Sequence, residues 1–567
     1  MAEGIGLGLG VVAAVIQTYG AITTAYDVYL DVKEFPSQYQ VLRMGLLIER
    51  YRLELWANHV LSKEEQDRVK LSRDYWPLWK LFESIFTQIL EAFQQGNQTM
   101  EDYGQHTGLP KNNGFSDGEL LQNMALAAKS PPKHTLERVS RTVKFVLRDK
   151  RRIEQLIKKL SFWNDSLDKM TSRLEQESSR RNLRTKLSTN DTTQLRYLET
   201  AATIFKHPDI QRMASARNVI EQSVQNEKSD SETSEAAIHS DEKSSYRLEM
   251  DKLQFHGIPY QTDQVRAMAR YGSESVIVDW RCCQDDSWRT NNPVAFQQRT
   301  ANLTKILNSD LRPLSVSILH CVGYLNENSN VTGYAFRLPP DASPGQKPIT
   351  LHQLLMHVKS GSQIPDLGER FELAKALVST VFEIHNIGWM HKNIQPKNIL
   401  FWAKPGTIDQ PNVSKPYLMG FDISRPDEPG EMSEKPPIRP EDDLYRHPDY
   451  KGENAKSFRP SFDMYSLGVI LFEIGLWRNV GAQRPRSPRP ESDSRDPDFI
   501  EKNVMNGPVD DLRRFTGARY RDAVMSCLSR DFDSIWEQNG LSRQARLKAY
   551  LGQVQRKIVD AIARCSA

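Results

Sequence analysis

Residues 388–401 read Gly-Trp-Met-His-Lys-Asn-Ile-Gln-Pro-Lys-Asn-Ile-Leu-Phe. A polar loop lies here between two apolar runs, with His391 and Asn398 toward its ends and Asn393 and Gln395 at its centre. The residue choice limits the chemistry. Asn393 carries an amide, with no lone pair basic enough to accept a hydroxyl proton near neutral pH. Gln395 is neutral too, so the centre of the loop holds neither a base nor a counter-charge.

At 567 residues the chain is too long for one hydrophobic core, and two to four domains are expected. Its 39% hydrophobic and 26% charged content is ordinary for a globular protein. A net charge of +3 makes no case for nucleic acid. Five cysteines (Cys282, Cys283, Cys321, Cys527, Cys565) show no metal-ligand spacing, so no metal site is expected. Their odd number and scatter fit a reducing compartment better than a disulfide framework. No Lys or Arg precedes Lys33, which argues against a secretory signal with a basic start.

Residues 4–26, GIGLGLGVVAAVIQTYGAITTAY, lie between Glu3 and Asp27 and carry no charge. As a helix rising about 1.5 Å per residue they span roughly 30 Å, the thickness of a bilayer core. Val11, Val12, Ala14, Val15 and Ile16 form the most apolar part. Two readings coexist: a helix buried inside a bundle at rest, and a helix that leaves the bundle for a membrane. Helical periodicity continues over 37–60 and 75–94, and the Gly, Asn and Ser content of 95–132 predicts mostly loop with a short helix near 118–128. One long helix is expected over 135–177 and another over 191–226, with no strand pattern before residue 250. Residues 129–186 hold seventeen Lys or Arg against seven Asp or Glu. Such a surface attracts anionic lipid at up to about 1 kcal/mol per residue, or simply solvates a helix face.

The segments YQVLRMGLLIERYRLELWANHV (39–60) and FVLRDKRRIEQLIKKLSFWNDSLDKM (145–170) resemble the fungal HET-S N-terminal helical domain, HeLo. The apolar N-terminus, the Arg-Leu-x-x-Trp of the first segment and the Phe-x-Asn-Asp-x-Leu of the second carry the likeness, over roughly residues 1–225. The resemblance implies a cell-death domain whose N-terminal helix inserts into membrane on activation.

Residues 222–246, rich in Ser, Glu and Asp, cannot bury enough apolar surface to offset ordering entropy and read as a flexible linker. Strand-like runs follow at 274–280, 316–325 and 332–338, with helices at 293–308, 351–357 and 366–388. This order, with the loop at 388–401, resembles a protein-kinase domain from about 250 to 565. Under that likeness His391 to Asn398 keeps the spacing of the catalytic loop, with Asn393 where the base Asp belongs and Gln395 where many such loops carry Lys. Gly420-Phe421-Asp422 stands at the magnesium triplet, with Gly420 in place of the carboxylate and Asp422 two residues late. Asp279, or by a two-residue slip Arg281, occupies the phosphate-binding lysine, and Arg299 the position of its glutamate partner. No G-x-G-x-x-G lies in 255–275. Asp463 matches the Asp that caps the loop backbone, and Pro448, in Tyr-Arg-His-Pro-Asp, matches the end of the activation segment. Residues 481–498 read as a disordered insertion, with Ser487 and Ser492 as candidate modification sites.

The expected chain is multidomain: an all-α bundle (1–221), a flexible linker (222–248) and an α+β bilobal protein-kinase-like domain (249–567). The resemblances imply an inactive kinase fold (a pseudokinase) regulating a membrane-inserting bundle in cell-death or heterokaryon-incompatibility signalling. No cofactor is required, although Asn398 leaves room for weak ATP binding. Expected partners are an upstream receptor or signalling protein, anionic lipid, and further copies of the chain, with no nucleic acid. The expected location is cytoplasmic at rest and the plasma membrane on activation. A weakly active atypical Ser/Thr kinase and a cytosolic scaffold are the alternatives.

Overall fold

A computed structural model describes residues 2–30, 39–61, 78–106, 150–229, 246–257, 266–282, 293–308, 316–328, 331–342, 346–357, 364–404, 407, 410–427, 440–451, 455–483, 498–538 and 540–567. The chain divides into two compact units, one of residues 1–187 with 196–211, the other of residues 188–195 with 212–567.

The first unit is helical, built on α1 (Ala2–Leu30), α2 (Gln40–Val60), α3 (Trp79–His106), α4 (Lys150–Asp168), α5 (Arg173–Leu187) and, from residue 196, most of α6 (Thr192–Ile204). Along α1 the apolar residues Val15, Ile22 and Tyr26 are fully buried, and Ala14 and Ile16 are half-buried. Tyr26 meets Phe93 of α3 edge-on at 4.9 Å, so the uncharged helix is held by aromatic packing. The side chains of Val11 and Val12 lie outside the described residues. Among the described residues no helix is long and apolar enough to cross a membrane.

The two segments that carried the HeLo likeness meet each other. Arg52 of α2 reaches Asp165 at 2.5 Å and Asp168 at 2.7 Å on α4, and Asn164 donates to the Glu49 carboxylate at 2.8 Å. Glu49 is fully buried; desolvation pushes its pKa up, but Arg52, His207 and Asn164 outweigh that and leave it lowered. Beside this network Gly45 lets α2 approach closely, since a Cβ there would lie 2.6 Å from the Phe205 ring.

Three helix expectations need correction. α3 runs on to His106 through the segment expected to be loop from Gln95, because Gln, Asn and Glu continue a helix at little cost and isolated glycines do not stop it. The helix expected over 135–177 is broken at 169–172, where Ser172 Oγ accepts the Glu175 N–H and Glu175 accepts the Ser172 N–H, a reciprocal start signal for α5. The helix expected over 191–226 ends at α6 and restarts as α7 (Pro208–Ser229), after Lys206 turns left-handed at φ +62° and Pro208 sets the first position. The helix expected near 118–128, residues 135–149 and most of the linker lie outside the described residues. The sequence ended the bundle at 221; the contact boundary falls inside α7, between 211 and 212.

The second unit mixes helices with small sheets. Its main sheet is antiparallel, ordered β1 (Leu253–Phe255), β2 (Arg266–Tyr271), β3 (Glu274–Cys282), β5 (Val331–Arg337), β4 (Cys321–Asn328), with α8 (Pro293–Asn308) packed on β4. Its buried face is apolar, from Val276, Val278, Trp280, Leu325 and Ala335. Then come β6 (Ile349–Thr350), α9 (Leu351–Met356), α10 (Leu367–Asn386), β7 (Trp389–Met390), β8 (Ile399–Phe401), β9 (Tyr417–Leu418) and β10 (Arg425–Pro426). β7 pairs with β10, and β8 pairs with both β6 and β9. α11 (Pro440–Asp443), α12 (Pro460–Leu476), α13 (Asp511–Phe515), α14 (Ala518–Leu528), α15 (Asp533–Glu537), α16 (Arg543–Val554) and α17 (Asp560–Ala563) complete it. Mostly apolar, α12 is buried from Pro460 through Gly475 and forms the centre of the helical part.

Candidate functional site

The loop at 388–401 is fixed from beneath by the first turn of α12. Fully buried Asp463 accepts the backbone N–H of His391 on one oxygen and that of Lys392 on the other, both at 2.8 Å. His385 Nε2 lies 3.1 Å from the same carboxylate, and Tyr550 sits 3.0 Å from the other ring nitrogen. The fixed amides allow Lys392 a left-handed backbone, φ +66°, which a non-glycine residue adopts only when its surroundings impose it.

His391 is fully buried against Phe421, ring centres 4.6 Å apart. Burial lowers its pKa to about 4, so the ring is neutral at pH 7. The Asn393 N–H donates to His391 Nδ1 at 3.2 Å, which leaves the ring proton on Nε2. His391 therefore positions the loop and carries no charge to the cleft.

Around Asn393 the polar groups satisfy one another. Its Nδ2 donates to Asp422 at 3.0 Å, and its Oδ1 accepts from Gln395 Nε2 at 2.7 Å. Asn398 Nδ2 donates to the Asn393 carbonyl at 2.8 Å. The amide at 393 thus works as a two-way bridge that a carboxylate could not reproduce, because a carboxylate has no donor.

The residue that joins loop to sheet is Arg266, at the start of β2, which the sequence reading passed over. Its Nη2 donates to Asn398 Oδ1 at 2.7 Å, its Nη1 to the Lys397 carbonyl at 2.8 Å, and its Nε lies 3.0 Å from Asp279 on β3. Strand register sets that pair, since Arg266 and Asp279 are direct neighbours across β2 and β3. The second Asp279 oxygen accepts the Gly420 N–H at 2.9 Å. Gly420 has φ +86°, and a Cβ on it would overlap the Asn398 amide. Four sequence-picked residues, Asp279, Asn398, Gly420 and Asn393, are thereby brought into one network whose cation is internal.

Other positions fall elsewhere. The side chain of Arg281 lies outside the described residues, as do Ser487 and Ser492. Arg299 is buried on α8. Pro448 opens a short helical turn at 448–450 preceded by His447, whose Nε2 lies 3.0 Å from Asp533. His447, Asp449 and Asp533 form the trio among the described residues that could gather round a cation. Lys456 Nζ already sits 2.6 Å from Asp449, an ammonium where an ion would need a free carboxylate.

Comparison with known families places two matches on the chain. Residues 6–198 match HeLo, described as prion-inhibition and propagation, and residues 284–563 match a domain of unknown function, DUF7580. No curated protein matches the chain significantly. The N-terminal part is thus HeLo-like, and its helical architecture agrees with that assignment.

Proposed function

We propose that the chain is a two-part effector of the cell-death or incompatibility type, in which a kinase-like module without phosphoryl transfer regulates a HeLo-type bundle. The observation that carries the regulatory half is the network around Arg266. A bilobal kinase uses nucleotide and metal to draw its sheet toward its catalytic loop. Here the guanidinium of Arg266 does so with Asp279, Lys397 and Asn398. The positions matching phosphate, metal and base are spent on internal hydrogen bonds, so the module is a pseudokinase that holds its form without ATP. The bundle half rests on the HeLo match and on the uncharged residues 4–26 within α1. In this reading the protein rests in the cytoplasm, is triggered by an upstream receptor or signalling protein, self-assembles, and engages anionic lipid at the plasma membrane.

The test uses the full-length protein. Dye release from anionic vesicles should follow activation and be abolished by Val12→Lys, because a central charge costs about 2.5–3.5 kcal/mol on insertion scales. Release that survives Val12→Lys would remove the insertion step. Mg-ATP should leave the melting temperature of the protein unchanged; a saturable rise would favour the weak-kinase alternative, and metal-dependent phosphate transfer lost in Asp422→Ala would establish it.

A further inference from the structure

Arg217, on the part of α7 that belongs to the second unit, is a fully buried arginine outside the Arg266 network. Its Nε donates to the Thr189 carbonyl at 2.6 Å and its Nη1 to the Asn386 carbonyl at 3.0 Å, while Nη2 donates to the Asn190 side chain. Gly388, two residues beyond Asn386 and left-handed at φ +84°, lies beside the guanidinium, where an added Cβ would be in ordinary contact with Nη1 at 3.5 Å. One turn along α7, Glu221 Oε1 is 3.6 Å from Arg217 and Oε2 is 3.4 Å from Arg543 at the start of α16. Arg543 in turn lies 4.0 Å from Asp427, whose N–H donates back to the Gly388 carbonyl at 2.9 Å. Gln544 closes the rim by donating to the Ser188 carbonyl at 3.0 Å.

These contacts make a ring: α7, the turn before the loop, the β7–β10 pair that ends in Asp427, α16, and α7 again. Glu221 and Asp427 are buried with Arg217. Charges removed from water hold only while their partners stay, so losing one member strands the rest. Nothing in the ring is shared with the Arg266 network, yet both grip the 388–401 loop, one at each end.

We propose that this ring is a latch: residues 212–229 stay docked on the rest of the second unit only while Asn386–Gly388 and Arg425–Asp427 keep their paired positions, so an event that displaces Arg425–Asp427 from β7 frees this helix. The use of that release for membrane activity rests on the function proposed above. The latch itself does not.

Hydrogen exchange on the full-length protein in solution separates the two. Arg217→Ala should speed exchange of the 212–229 amides at least tenfold with α12 unchanged. Asp427→Ala, on a different element, should do the same to 212–229, and the double variant should add little to either. Should Arg217→Ala fail to fold, Glu221→Gln takes its place with the same expectation. Unchanged exchange at 212–229 in Asp427→Ala would overturn the latch, even if Arg217→Ala accelerates it, because Arg217 would then be only a packing residue. Exchange that opens as expected while anionic vesicles stay sealed supports the latch and counts against the proposed membrane activity alone.

Discussion

Asn393 does not become a working base by one substitution. Asn393→Asp would set a second carboxylate about where the amide now donates to Asp422, at 3.0 Å. Two carboxylates that close cannot both ionise cheaply, and the bridge loses its donor. The expected cost is about 1–3 kcal/mol, seen as a melting temperature lowered more at pH 8 than at pH 5, with no phosphoryl transfer gained. Gly420→Ala meets both a left-handed backbone and the Asn398 amide, and should lower stability by about 2 kcal/mol or more in thermal or denaturant unfolding. These residues were picked from the sequence by their spacing, and the structure brings Asn393, Asn398 and Gly420 close together. Arg266 was not. An arginine in Arg-Ala-Met-Ala-Arg-Tyr looks like the solvated face of an edge strand, and only the β2–β3 register reveals that it faces Asp279.

Among the elements, α12 carries most of the consequence. Its Asp463 accepts two loop amides at zero exposure, and Asp463→Ala would strand them beside a buried histidine. A loss of about 3–5 kcal/mol is expected, a large share of a total stability of about 5–15 kcal/mol, read as a lowered melting temperature. Near its other end Glu473, fully buried, has its pKa pushed up to about 8 by desolvation, against the hydrogen bonds from Val480 and Tyr445. The folded chain then keeps a proton that the unfolded chain releases above its ordinary 4.5. Glu473's contribution to stability is complete below about 4.5 and is lost as pH rises to about 8. Glu473→Gln should flatten that fall, measured as denaturant midpoint against pH. Element identity was largely legible: the helix at 293–308 falls where periodicity set it. Helix ends were not, since Ser172 with Glu175, and Lys206 with Pro208, break runs whose apolar period continues past them.

For the whole molecule, a helical first part and a mixed second part were legible in the sequence, while composition and contact draw the boundary between them at different places. The acidic, serine-rich run after residue 221 is the visible change in sequence, so a cut near 249 looks natural. Folding follows burial instead, and Arg217 with Glu221 is buried among Asn386, Gly388 and Arg543 of the second unit. A fragment beginning at residue 249 would leave Arg543 and the Asn386 carbonyl without these partners. A fragment beginning at Pro208 keeps them. The longer fragment is expected to be more stable by about 2–4 kcal/mol, or roughly 3–5 °C in melting temperature for a unit of this size. Arg217→Ala in the longer fragment should erase most of that gap. Equal melting of the two fragments would mean that residues 208–248 add nothing to the second unit, returning the boundary to where composition put it.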